Sequence, residues 1–242
     1  MAYTERLVAP GVVVWSSTGS VGEQRILPDG CLDLVLDGER LLVAGPDTAA
    51  RVHTSLDARP MTGVRLHGGR GPTRLGVPAD LLTDRTLLIE EVWGDRRGRA
   101  LTRLMLRGPE RELAAWGMGP GSRPGLGARS SRGDDGFGPE LLRLLGGGLT
   151  VAAAAEALGY SARQLHRRTL PAFGYGPQHL RRVLRLQRAL AAVDRGLAWA
   201  SVAAGAGYAD QAHLARDVRA LTGVTPTALR RERDVRSVQD AA

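Results

Sequence analysis

The last hundred residues of this chain repeat themselves. Aligned at an offset of 49, Ser161 matches Asp210, Leu165 matches Leu214 and Arg167 matches Arg216. Further on, Gly174 matches Gly223, Pro177 matches Pro226, Leu180 matches Leu229, and Arg181-Arg182 matches Arg230-Arg231. Upstream, Gly159-Tyr160 pairs with Gly207-Tyr208 one residue out of register. A segment that recurs at this period is one supersecondary unit present twice.

Each copy opens with an Ala-rich helical stretch, Val151–Leu158 in the first and Val202–Ala206 in the second. A glycine-containing turn follows, then a second helix. Ser161 and Asp210 stand where an N-cap is needed, because their side-chain oxygens accept from free N–H groups of a first turn. Leu165 and Leu214 predict the inward face of that second helix, and small residues in the first helix let the two pack closely. The pattern is a helix-turn-helix, whose second helix enters the major groove. The residues around the leucines then face outward: Ala162, Arg163, His166 and Arg167 in one copy, and Gln211, Ala212, His213 and Arg216 in the other. Arg reads guanine bidentately, Gln reads adenine and Ala touches the thymine methyl. Pro171 predicts an early end to the first of these helices. From Pro177 to about Val193 a third helix joins the copies, with Leu180, Val183, Leu184 and Leu190 near one face and Arg181, Arg182, Arg185 and Arg188 largely elsewhere. At about 1.5 Å per residue it spans roughly 25 Å.

The charge agrees with this reading. All 33 basic residues are arginines, and the net charge is +8. From Pro139 onward fifteen arginines face eight acids, so +7 of that total lies in the repeated segment. Such an asymmetry is the electrostatic footprint of a chain that binds a polyanion.

The first half has another texture. Gly11–Trp15, Cys31–Leu36, Leu41–Val43, Arg51–Thr54 and Val64–His67 predict short strands, with Asp37-Gly38 as a tight turn. Helical patterns follow at Ala79–Leu82, Leu88–Trp93, Leu101–Leu106 and Pro109–Trp116. Between Gly117 and Gly138 there are eight glycines and two prolines. That stretch predicts a flexible linker. The expected architecture is therefore α+β: a β-rich N-terminal domain with trailing helices over 1–116, a linker over 117–138, and an all-α domain over 139–242 made of two helix-turn-helix units joined by a long helix.

The run Val202-Ala203-Ala204-Gly205-Ala206-Gly207-Tyr208-Ala209-Asp210-Gln211-Ala212-His213-Leu214, followed by Gly223-Val224-Thr225-Pro226 and Leu229-Arg230, resembles the signature of the AraC/XylS regulators. Gly176–Leu190 is similar to that family's joining helix. The resemblance covers about residues 139–233, and it implies DNA contacts at Arg163, His166, Arg167, Gln211, Ala212, His213 and Arg216. This chain departs from the family at Leu214, Val218 and Leu229, where aromatics are usual. Leu27–Val35, Val43–Pro46, Leu75–Ala79 and Trp93-Gly94 resemble the sensor half of some such regulators, which implies a β-rich domain but no particular ligand.

Several features have plainer readings. Arg188 and Arg216 can instead bridge to acids within the module, and for Arg188 that structural role is the preferred one. Cys31 reads as a packed core thiol, and one cysteine forms neither an internal disulfide nor a Cys-based zinc site. His53, His67 and Asp33 match no metal-ligand spacing, so no metal and no cofactor are expected. Trp15, Trp93 and Trp116 read as core, with a ligand pocket among them as the alternative. No run of about 18 apolar residues predicts a membrane span, and the start Met1–Arg6 lacks the pattern of a secretory signal. The expectation is a cytoplasmic regulator, associated with the nucleoid when bound, whose partners are double-stranded DNA, RNA polymerase, a possible small-molecule effector and a possible homodimeric second copy. Two other classes stay open: a DNA-repair-like enzyme fused to the module, which a single cysteine disfavours, and an architectural binder without specificity, which two different polar faces disfavour.

Overall fold

The computed structural model describes residues 3–19, 21–119 and 136–241, with side chains as far as residue 234. It begins with seven strands, β1 (Tyr3–Ala9), β2 (Val12–Ser17), β3 (Gly22–Ile26), β4 (Leu32–Asp37), β5 (Arg40–Ala44), β6 (Arg51–Ser55) and β7 (Met61–Leu66). Then come α1 (Arg70–Leu75), a 3-10 turn at Ala79–Leu81, strand β8 (Thr86–Leu88), and helices α2 (Ile89–Trp93), α3 (Asp95–Met105) and α4 (Pro109–Met118). Six strands form one antiparallel sheet in the order β1-β2-β7-β4-β5-β8, and β3 and β6 pair separately.

The two faces of the large sheet have different jobs. Along β4, Leu32, Leu34 and Leu36 are buried, and the alternate residues are not. They join Val12, Val14, Leu41, Val43, Val64 and Leu66 in one core, covered by Ile89, Leu101, Met105 and Leu113 of the trailing helices. Period-two alternation sends Asp33 and Val35 to the opposite face. The apolar stripes of α2, α3 and α4 are thus spent inside the chain.

The helical half holds α5 (Phe137–Gly146), α6 (Val151–Ala157), α7 (Ala162–Phe173), α8 (Pro177–Asp194), α9 (Trp199–Gly205), α10 (Gln211–Thr222) and α11 (Pro226–Ala241). Its core runs continuously from Leu141 to Leu229 around Leu180, Val183 and Leu186 of α8. The fold is α+β, β-rich first and helical after. Residues 120–135 of the expected linker lie outside the described residues; α4 takes in Gly117 and Met118, and α5 takes in Phe137 and Gly138.

Pro171 does not end α7. It sits inside the helix, which continues to Phe173 and closes through the Gly174 N–H bonded to the Leu170 carbonyl at 2.8 Å. A proline three residues from a helix end removes one backbone bond near a terminus, and the fully buried Phe173 holds the last turn in place.

Candidate nucleic-acid interface

The two units share one turn geometry. In the first, Gly159 has φ +70 and the Tyr160 N–H reaches back to the Ala155 carbonyl at 2.9 Å. In the second, Gly207 has φ +82 and the Tyr208 N–H reaches Ala203 at the same distance. A positive φ there is open to glycine at no steric cost. Ser161 then accepts from the Gln164 N–H, and Gln164 returns a bond to the Ser161 N–H at 2.8 Å, a reciprocal cap. Asp210 accepts from the His213 N–H at 2.6 Å. Leu165 and Leu214, both fully buried, anchor the inner faces of α7 and α10.

On α7 the structure brings Arg163, His166 and Arg167 together on one exposed stripe, spaced three and four residues apart. On α10, Gln211, Ala212 and Arg216 are exposed in the same way. No ion pair engages Arg163, Arg167 or Arg216 among the described residues. His213 is not with them. Its ring stands edge-on to Tyr208 at 5.3 Å, its Nδ1 accepts from the Ala209 N–H at 3.3 Å, and its Nε2 lies 3.4 Å from Arg185. The ring is packed inside the module, with Nδ1 taken up by the turn before α10. Arg219, exposed one turn beyond Arg216, is an addition to this face, and its i, i+3 spacing was the available signal.

The arginines of α8 hold the units to the joining helix. Arg185 is 6% exposed and donates to Asp217 Oδ2 at 2.6 Å, while Arg182 Nε donates to Asp217 Oδ1 at 2.7 Å. The Arg185 guanidinium also lies 4.2 Å over the Tyr208 ring. Burial works against the Asp217 charge, but these hydrogen bonds win and hold its carboxyl below the ordinary carboxylate range. Arg181 donates to the Leu149 carbonyl and Arg188 to the Ala206 carbonyl. The expected acid partner for Arg188 is therefore replaced by a backbone oxygen at the end of α9. Arg168, between the Phe137 and Tyr160 rings at 4.8 and 5.1 Å, ties α5 to the first unit.

The far face of the large sheet opens on a cavity of about 580 Å³, closed by β3 and β6 and by α8 and α11. Trp15 lies on its wall and donates to Asp33 at 2.7 Å. Burial pushes Asp33 up to about 6 against the opposing pull of Arg65. Cys31 meets His67 Nδ1 at 3.0 Å, but burial holds the thiol well above its usual value and lowers the imidazole. His53 lies on β6, paired across from Gln24, so the structure does not assemble His53, His67 and Asp33 into one cluster. Among the described residues no group of three or more His, Cys, Asp or Glu could hold a metal ion. No helix among them is long and apolar enough to cross a membrane.

Residues 143–232 match the family model of a helix-turn-helix domain, and residues 9–88 match a domain of unknown function, DUF6597. No curated protein matches the chain in sequence. Among solved structures it is similar to ToxT from Vibrio cholerae O395, at 10% identity over 91% of this chain and 97% of that one, with a TM-score of 0.47. It is also similar to the unsaturated fatty acid bound wild-type ToxT from Vibrio cholerae strain SCE256, at 9% identity over 90% of this chain and 93% of that one, with a TM-score of 0.44. The helix-turn-helix match supports a DNA-binding transcription regulator.

Proposed function

We propose that this chain, which carries an AraC-type double helix-turn-helix domain at its C-terminal end and a DUF6597 domain at its N-terminal end, is a sequence-specific transcription regulator that reads two adjacent major-groove segments. One observation carries the reading. Arg181, Arg182, Arg185 and Arg188 are consumed in holding the module together, whereas Arg163, Arg167 and Arg216 stand exposed on the two capped helices with no ion pair among the described residues. Arginines placed in this way are free for base edges and phosphates. In this reading α7 contributes Arg163, His166 and Arg167, which suit guanine, and α10 contributes Gln211, Ala212 and Arg216. His213 serves the turn before α10.

Residues 139–242 are the DNA-binding domain, 117–138 the connection and 1–116 a sensor domain, and the cavity between its sheet and helices α8 and α11 takes a small-molecule effector. Thiolate catalysis in that cavity is disfavoured, because the Cys31 thiol is buried and held protonated. RNA polymerase is the downstream partner of such a regulator.

The test is selection of a site from random duplex DNA by the full chain, followed by footprinting. Two protected elements of different sequence are expected, with centres about 10–10.5 base pairs apart on one face of the duplex. Inserting about five base pairs places the elements on opposite faces, and affinity should drop to that of one element. Unchanged affinity after the insertion means that only one unit reads bases.

A further inference from the structure

The N-terminal half touches the C-terminal ends of both recognition helices, at equivalent places. Gly174 and Gly223, matched by the repeat, end α7 and α10 in the left-handed conformation, at φ +81 and +77. A Cβ at Gly174 would lie 2.7 Å from Pro46 and 2.3 Å from the Thr83 hydroxyl, so nothing separates that turn from the N-terminal half. At the end of α10, the Leu221 carbonyl accepts from the Ala50 N–H at 2.7 Å. The neighbouring Thr222 carbonyl accepts from Arg25 Nη1 at 3.0 Å, and the same guanidinium grips Glu232 of α11 at 2.9 and 3.2 Å.

Pro46 and Ala50 belong to one short loop between β5 and β6. That loop is clasped from within. Asp84 accepts from the Thr48 N–H at 2.7 Å and from its hydroxyl at 2.8 Å, and the Asp84 N–H donates to the Pro46 carbonyl at 3.1 Å. Asp84 does this with φ +57, the one positive value at a non-glycine among the described residues. A residue kept in that region persists only where its surroundings over-determine it. Midway along the loop, the Thr48 backbone meets the His179 ring of α8.

We propose that the loop Gly45–Ala50, clasped by Asp84 and assisted by Arg25, is a bracket that fixes the placement of α7 relative to α10, and so sets the operator spacing the protein accepts. The proposal rests on the two-element reading above. Both units already pack on α8 through one core and its arginine bonds. The loop adds a second connection between them. The bracket grips the C-terminal ends only, so the N-terminal stretches with Arg163, Arg167, Gln211 and Ala212 stay open to the groove. One base pair of spacing is a shift of about 3.4 Å together with about a tenth of a turn, which a rigid pair of helices does not follow.

Two measurements on the full chain test it, with Asp84→Gly and Arg25→Ala as variants. Glycine accepts the φ of residue 84, so Asp84→Gly removes the two carboxylate bonds to Thr48 without adding strain. In a Cys31→Ser background, nitroxide labels at Glu156→Cys and Ala220→Cys report the distance between the units by electron spin resonance. A single narrow distance is expected for the parent and a broadened distribution for both variants. On duplexes carrying the selected elements with one base pair added or removed, parent affinity should fall roughly tenfold, the scale of one lost base contact. The variants should lose less than about threefold on the same duplexes. Distances as narrow in both variants as in the parent overturn the bracket. A parent that accepts all spacings equally overturns it too, while two-element protection survives. A footprint on one element alone sinks the two-element reading instead, and the distances still decide the bracket.

Discussion

Asp217 of α10 and Arg185 of α8 form a salt bridge at 2.6 Å with both side chains at about 7% exposure or less. It joins the second recognition helix to the helix that also carries the first. Replacing Asp217 by alanine leaves a buried guanidinium without its counter-charge, and Arg182 loses the same partner. The expected cost is about 3–5 kcal/mol of unfolding free energy, read by urea denaturation of the full chain. Because the native carboxyl titrates below its unfolded value, its contribution is present above the unfolded value and lost as pH falls through the native one. A parent and variant with equal stability at pH 7 would contradict this.

Arg163→Ala, Arg167→Ala and Arg216→Ala should each weaken binding to the selected site by about 1–3 kcal/mol and relax sequence preference at one position. Binding to random duplex should weaken less. Titrations of both duplexes at fixed salt check this, and an equal loss on the two would assign these residues to phosphates.

Trp15 stands across from Gly63 in the β2–β7 pairing, and a Cβ at Gly63 would lie 2.4 Å from the indole. Gly63→Ala therefore pushes the ring off its seat and breaks its bond to Asp33. Overpacking of this kind costs about 1–3 kcal/mol. Loss of melting temperature, with a red-shifted tryptophan emission, is the expected outcome. An unshifted spectrum would show that the ring has room to spare.

Asp33 titrates near 6 in the folded chain because burial disfavours its charge. A carboxyl raised in this way contributes stability that is fully present below its unfolded value, near 4, and lost as pH rises through 6. Asp33→Asn abolishes that dependence. Melting temperatures of parent and variant should therefore diverge in favour of the variant as pH goes from about 4 to 7. Parallel curves would count against it.

The repeated half was legible because its signals are local. Caps at Ser161 and Asp210, leucines at Leu165 and Leu214, and turn glycines all act within a few residues of themselves. Arg185 was not legible, since a charge on an amphipathic helix reads as solvated until Asp217 and Tyr208 arrive from far along the chain. Strand β3, Gly-Glu-Gln-Arg-Ile, carries one apolar residue at its end, and its state comes from pairing with β6. Strand β1 is an exposed edge held by β2, and α1 forms between two left-handed glycines despite an internal proline. Helix α9 starts at Trp199, ahead of its expected start at Val202, because that indole belongs to the shared core. The bracket depends on Arg25 and Glu232, 207 positions apart, which no local pattern connects.

The grip on the second recognition helix is made on the carbonyls of Leu221 and Thr222, and the first is met at a glycine. Main-chain oxygens are the same whatever side chains the helix bears. The outward residues of α7 and α10 can therefore diverge between descendants without loosening their seating. On the proposed two-element reading, a lineage built on this scaffold changes its target sequence by substitution at the outward positions, while the interval between the two words is inherited unchanged.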